Sequence, residues 1–407
     1  MLTRRHLLCC GAAAGLFTSL AGPARAGLLN QCRGSLPDAL RPLVERAFDG
    51  IDPPQLWDVH THLLGTGDSG SGCSVNAQLS QWWHPVEMLR KRLILNAACV
   101  PSDAPSVDRA YVERLHALAE DFPAGARWML FAFDQACSEA GQPDAARTTF
   151  HVPDAYAART AAAHPRRFAW VASIHPYRPD ALARLEAAIS GGAVALKWLP
   201  SSMNIDLRDT RLRPFYERLA ATRLPVIVHC GEERAVPGAG RQELGNPLLV
   251  RAALEQGVRI VVAHCASLGT ALDLDRGRPR PASSFSLFAR LMDEDWGGRL
   301  LGDVSVVLQA NRGPDVARML LAREDWHPRL LHGSDYPLPG IPAAIRLPAL
   351  VGAGLLEATD APALERLREH NPLLFDLALK RLARWRGAAF TAPVFATRPH
   401  FERPSGA

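Results

Sequence analysis

Eight short apolar runs punctuate the chain from residue 55 onward, at 55–60, 128–133, 168–174, 193–199, 225–229, 259–264, 303–308 and 329–332. They are rich in Val, Ile, Leu and Ala and show little polar alternation, the signature of strands buried on both faces of a parallel sheet. Between them lie segments with helical spacing at 153–164, 179–190, 212–222, 247–256, 283–296, 314–322 and 341–356. Pro opens several of these, where its missing N–H costs nothing. Strand–helix alternation predicts an α/β fold, and eight units predict a (β/α)8 TIM barrel. An open doubly wound sheet is the alternative, but the glycine fingerprint for dinucleotides is absent.

Residues 63–127 are too many for a plain connection. A Gly/Ser-rich loop at 65–72 and helical patterns at 85–96 and 107–120 predict a helical insertion after strand 1 that roofs the barrel mouth. Trp82 and Trp83 within it would cover an apolar substrate or pack the roof. Residues 360–385 read as a C-terminal helical extension. The barrel unit therefore spans 27–385, with an irregular tail at 386–407.

The first 26 residues differ in kind. Arg4 and Arg5 precede an apolar stretch at 7–20, and Ala24-Arg25-Ala26 supplies small residues for cleavage. This is the layout of a secretory leader, and the paired arginines resemble a twin-arginine (Tat) signal. The resemblance implies export through the Tat machinery, cleavage after Ala26 and a periplasmic or secreted protein. The stretch is too short to span a membrane, and no later segment is apolar enough. The formal net charge is +5, from 46 basic and 41 acidic residues. Setting aside Arg4, Arg5 and Arg25 leaves +2, which gives no reason to expect a nucleic-acid partner. Lysine is scarce: only Lys91, Lys197 and Lys380 stand among the 46 basic residues. Beyond the leader, Cys32, Cys73, Cys99, Cys137, Cys230 and Cys265 match no zinc ribbon or disulfide framework, and pairing among the first four stays open.

Polar residues end the apolar runs. His60-Thr61-His62 closes the first, and alternation along a strand turns both imidazoles the same way. His229 closes the fifth, His264 the sixth, and Asp335 follows the eighth. In a barrel such ends converge on one rim, where active sites lie. One strand-end histidine reads as a satisfied core residue; four with a carboxylate predict a metal site. Asp58 would point inward below His60, as a supporting partner or a buried carboxylate. Arg312 would clamp an anionic substrate or form a surface ion pair. His175 would reach the rim or serve structure. Glu232 and Glu233 read as loop acids near the mouth, and Cys230 and Cys265 as inert thiols under the helices.

These motifs, D-x-H-x-H, P-V-I-V-H-C-G, V-A-H and H-G-S-D-Y-P, resemble the amidohydrolase superfamily, and within it the group that includes aminocarboxymuconate-semialdehyde decarboxylase-like enzymes. Asn371-Pro372-Leu373-Leu374-Phe375 resembles that group's closing motif. The resemblance covers about residues 55–376. It implies that His60, His62, His229 and Asp335 hold a divalent metal, zinc first and manganese as the alternative. Asp335 and His264 would be the catalytic residues. Lys197, ending the fourth run, would either be carboxylated and bridge a second metal, bind a substrate carboxylate, or form an ion pair. The implied activity is hydrolysis of a C–N or C–O bond of a small molecule through activated water. The alternatives are decarboxylation of a small aromatic or unsaturated acid, or a non-catalytic binding barrel.

Overall fold

The computed structural model describes residues 29–81, 83–101 and 103–402. The leader and Trp82 lie outside the described residues. Eight parallel strands run in chain order around one sheet: β1 (Trp57–His62), β2 (Arg127–Phe131), β3 (Phe168–Ala172), β4 (Ala195–Trp198), β5 (Val226–His229), β6 (Ile260–Ala263), β7 (Leu300–Asp303) and β8 (Leu330–Leu331). The end of β8 returns to β1: the Val59 N–H donates to the His332 carbonyl at 3.1 Å and the His62 N–H to the Tyr336 carbonyl at 3.1 Å. With helices between the strands, this is the expected (β/α)8 barrel.

The strands lack polar alternation because both their faces are covered. Met129, Phe131, Val171, Ile227 and Leu301 fill the barrel interior. Their neighbours Trp128, Leu130, Leu196, Val228 and Val262 pack outward under the helices. Cys230 and Cys265 belong to that outer layer and are free thiols.

Three elements differ from the sequence reading. The first strand lies two residues later, so both histidines of the H-x-H belong to it. The seventh strand is Leu300–Asp303, not 303–308; the later apolar run is a buried turn, with Val306 at φ 47°. The helix expected over 341–356 is only Leu347–Gly352, begun by Pro348 in its first turn and followed by Gly354 at φ 69°. The C-terminal extension is two helices, Ala361–His370 and Pro372–Leu382. Asn371 breaks them and caps the second by accepting from the Leu373 and Leu374 N–H groups.

The insertion carries helices Pro85–Ala97 and Val107–Glu120. Its loop is organised by the fully buried Asp108, which accepts from the Thr66 N–H at 2.6 Å and the Ser71 hydroxyl at 2.6 Å. A Cys32–Cys99 disulfide ties the N-terminal segment to the end of helix Pro85–Ala97. The β8 loop meets the same end at Gly340, where a Cβ would lie 2.1 Å from the Ala97 carbonyl oxygen.

The tail has only short 3-10 turns, Ala392–Phe395 and Arg398–His400. It nevertheless seals the N-terminal end of the barrel. Thr397 Oγ accepts from the Trp57 N–H at 2.7 Å and donates to the Trp57 carbonyl at 2.6 Å. Phe401 joins the interior cluster. Among the described residues, no helix is long and apolar enough to cross a membrane.

Candidate active site

The C-terminal strand ends gather most of the predicted polar groups at one rim. A register irregularity between Asp58 and Thr61 re-aims the end of β1. His60 Nδ1 donates to Asp303 Oδ2 at 2.9 Å, and its Nε2 lies 3.4 Å from Asp335 Oδ1. His62 Nε2 lies 3.0 Å from the same oxygen. The Gly333 backbone rests against His60, where an added Cβ would lie 2.7 Å from the His60 Cβ. Asp58 holds this arrangement from behind, accepting from the Ser334 N–H at 2.8 Å and the His60 N–H at 3.1 Å. Burial pushes its carboxyl up to about 6.

Asp303 is the residue the sequence reading missed. It closes β7, is fully buried, and also accepts from the His264 N–H at 3.0 Å, the Ser305 N–H at 3.0 Å and the Ser305 hydroxyl. The signal was an acid ending the run Leu300-Leu301-Gly302, the same strand-end rule that selected the histidines.

His264 is delivered by unusual backbone. His264, Cys265 and Ala266 all have left-handed φ, at 54°, 51° and 49°, and Asp335 at 60°. Such conformations cost energy in non-glycine residues and persist where the surroundings over-determine them. His264 Nδ1 hydrogen-bonds Ser305 Oγ at 2.7 Å, and its Nε2 lies 3.8 Å from Asp335 Oδ2. The rings of His60 and His264 stack with centroids 4.7 Å apart.

Burial holds His60 and His264 well below the usual imidazole range, so both are neutral and carry a free lone pair. Burial pushes Asp335 up, but His60, His62 and Lys197 outweigh it and its carboxyl lies below the usual range.

Lys197, at the end of β4, is fully buried, and its Nζ has no hydrogen-bond partner. It lies 4.9 Å over the Phe131 ring. Burial lowers it to about 8, against the pull of Asp303, Asp335 and Glu233. Arg312 donates from Nη1 to Ser267 Oγ at 2.6 Å and keeps a buried Nε without a partner. His229 Nε2 lies 3.2 Å from Glu233 Oε2, outside hydrogen-bond geometry. Glu233 itself is fixed by the Ala235 and Val236 N–H groups at 2.6 and 2.7 Å.

The donor set suits a divalent metal. His60, His62 and Asp335 each offer a ligand atom within 4.8 Å of the others. Asp335 Oδ1 sits among imidazole nitrogens, buried and without a hydrogen-bond partner, which is what a carboxylate ligand looks like without its cation. His60, His264 and Asp303 form a second such group, but the Asp303 oxygens are already spent on four donors, which makes it the support that orients the imidazoles. His229 joins neither group.

His60, His62, Lys197, His229, His264, Arg312 and Asp335 line one cavity of about 500 Å³, together with Glu232 and Glu233. His175 is set apart from it. Its Nε2 donates to the Met203 carbonyl at 2.7 Å and its Nδ1 accepts from the Tyr177 N–H at 3.3 Å. Trp83 is exposed and does not line the cavity.

A family model described as "Amidohydrolase" matches residues 57–375. No curated protein matches the chain significantly. Solved structures that are similar include an uncharacterized TIM-barrel protein from Bordetella bronchiseptica, at 18% identity and TM-score 0.43, covering 70% of this chain and 87% of that one. A 5-carboxyvanillate decarboxylase from Sphingomonas paucimobilis has 11% identity and TM-score 0.42, covering 79% and 96%. A 4-oxalomesaconate hydratase from Rhodopseudomonas palustris has 14% identity and TM-score 0.37, covering 80% and 93%. With side chains that could hold a metal at the rim of an eight-stranded barrel and a family match spanning nearly all of that barrel, the chain belongs to the amidohydrolase family of metal-dependent enzymes.

Proposed function

We propose that the protein is a metal-dependent hydrolase of a C–N or C–O bond in a small molecule. The observation that carries this reading is Asp335, whose buried, unpartnered Oδ1 faces the His60 and His62 imidazoles while its Oδ2 lies 3.8 Å from His264 Nε2. Zinc is the metal that mixed imidazole and carboxylate donors suit best, with manganese as the alternative. When bound, it supplies Lewis acidity toward the reacting group. His60 and His62 bind it with Asp335, and His229 is the proposed fourth ligand, for which Glu233 competes.

Asp335 takes a proton from the attacking water and returns it to the leaving nitrogen or oxygen. His264, locked by Ser305, aims the Nε2 lone pair at the same region, where it serves as an acid–base partner to the reacting group. Lys197 serves as the cation that anchors an anionic substrate group, with Arg312 beside it. Its support is an unpartnered ammonium in a cavity whose described residues offer no second donor group built on His229 and His264. Export by a Tat leader remains part of the proposal. The Cys32–Cys99 disulfide supports it, since such bonds persist in oxidising compartments.

A buried cation beside an apolar wall equally favours decarboxylation of a bound carboxylate, and this is the second reading. Turnover in ¹⁸O-labelled water separates the two. Hydrolysis places one labelled oxygen in the product, whereas decarboxylation releases CO2 and leaves the product unlabelled. Loss of turnover on chelation, restored by zinc or manganese, is required by both. Turnover that survives complete metal removal would sink them together.

A further inference from the structure

The rim residues account for only the floor of the cavity; its upper walls are largely apolar, with Arg90, Lys91 and Arg234 among them. Helix Pro85–Ala97 turns Val86, Leu89 and Leu93 into the cavity at three- and four-residue spacing, one stripe of the helix. Val86 and Leu89 are 58% and 46% exposed. Phe150, Leu268 and Ile341 complete the walls from three other loops. A surface helix ordinarily turns its large apolar side chains toward the core. Here only Leu95 and Ala97 are fully buried, and Leu95 lines the cavity together with Val86, Leu89 and Leu93. Apolar surface of this kind, rimmed by polar residues, marks a ligand-binding groove. The walls are also preformed, because the Cys32–Cys99 disulfide and the Gly340 contact fasten the end of the helix.

We infer that the substrate is amphipathic: a polar reacting group lies at the barrel rim, and an apolar hydrocarbon body fills the chamber beneath helix Pro85–Ala97. A cavity of about 500 Å³ holds on the order of fifteen non-hydrogen atoms at roughly the 30 Å³ that one water occupies in the liquid. The floor requires only a few of these. A small, wholly polar acid would leave the stripe wet. This assignment rests on the proposed enzymatic use of the same site.

The test uses straight-chain carboxylates from two to ten carbons, titrated calorimetrically into the metal-loaded enzyme. Affinity is expected to rise about fourfold for each methylene buried, until the chamber is full. Leu89→Asn is expected to flatten the series beyond the shortest acids. Leu93→Asn provides a second variant should the first fail to fold. A flat series in the wild-type enzyme, or a slope that a folded variant leaves intact, overturns the inference. Metal content, measured separately, keeps the two claims distinct. A chain that shows the slope but binds no metal would refute the hydrolase reading and uphold only the apolar chamber as a binding site.

Discussion

Asp303 holds His60 by its Nδ1 at 2.9 Å, and this leaves Nε2 as the nitrogen that faces Asp335. One carboxylate therefore sets the tautomer of a histidine supplied by the strand that begins the barrel. It also accepts from the backbone at the end of β6. Three of the strand ends that build the site, β1, β6 and β7, are thus registered through a single buried acid.

Replacing Asp303 with Asn should weaken metal binding about 10- to 100-fold, as loss of an outer partner to a ligating imidazole does elsewhere. Competition with a fluorescent chelator measures it. Wild-type affinity in the variant would show that His60 needs no such support.

Asp335→Asn should lower kcat by about 10²- to 10⁴-fold, the usual worth of positioned acid–base catalysis. It should also reduce metal affinity, because the same side chain is a proposed ligand, so kinetics are read at saturating metal. Unchanged kcat there would remove Asp335 from proton transfer.

Lys197→Met should abolish turnover yet stabilise the apoprotein. An unpartnered ammonium lowered to about 8 from 10.5 by burial costs stability at neutral pH. The shift corresponds to about 3 kcal/mol as an upper figure. Urea unfolding at pH 7 should move to higher midpoint. A lower midpoint would mean that the cation is paired in solution. The trade is the familiar one of function against stability.

His175 should contribute to acid lability. Burial lowers it to about 4, and both ring nitrogens are bonded in the neutral form. The unfolded chain binds the proton near pH 6.5 and the folded one does not. Stability from this group is thus complete above about pH 6.5 and is lost as pH falls toward 4, by about 3 kcal/mol. Wild type and His175→Gln compared by urea unfolding at pH 7 and pH 4.5 isolate the effect. An equal loss in both would show that His175 does not titrate in this window.

Removing the Cys32–Cys99 bond with Cys32→Ser should cost about 2–4 kcal/mol, since it closes a long loop. Thermal unfolding checks it: an unchanged Tm would show that the bond adds nothing to the folded state.

The barrel was legible because its strands are covered on both faces, which leaves uninterrupted apolar runs in the sequence. His60, His62 and Asp335 were legible because each stands at or just beyond the end of such a run. Asp303 escaped because the apolar stretch 304–308 after it resembles a strand better than Leu300–Asp303 does. The left-handed turn at His264, Cys265 and Ala266 leaves no trace in residue type, since none is glycine or asparagine; packing alone imposes it. His175 matched the strand-end rule, yet the Met203 carbonyl and Tyr177 N–H hold it away from the cavity. Cys32 and Cys99, 67 residues apart, are joined by tertiary contacts that no local pattern encodes.

The tail carries a consequence for the closure of the barrel. Trp57 opens the first barrel strand, and its backbone is satisfied by Thr397. Phe401 enters the interior packed around that same end. Without the tail, the first strand would leave that backbone pair open and the hydrophobic end unfilled. Closure of the barrel's N-terminal end therefore depends on contacts between positions more than three hundred residues apart in the sequence.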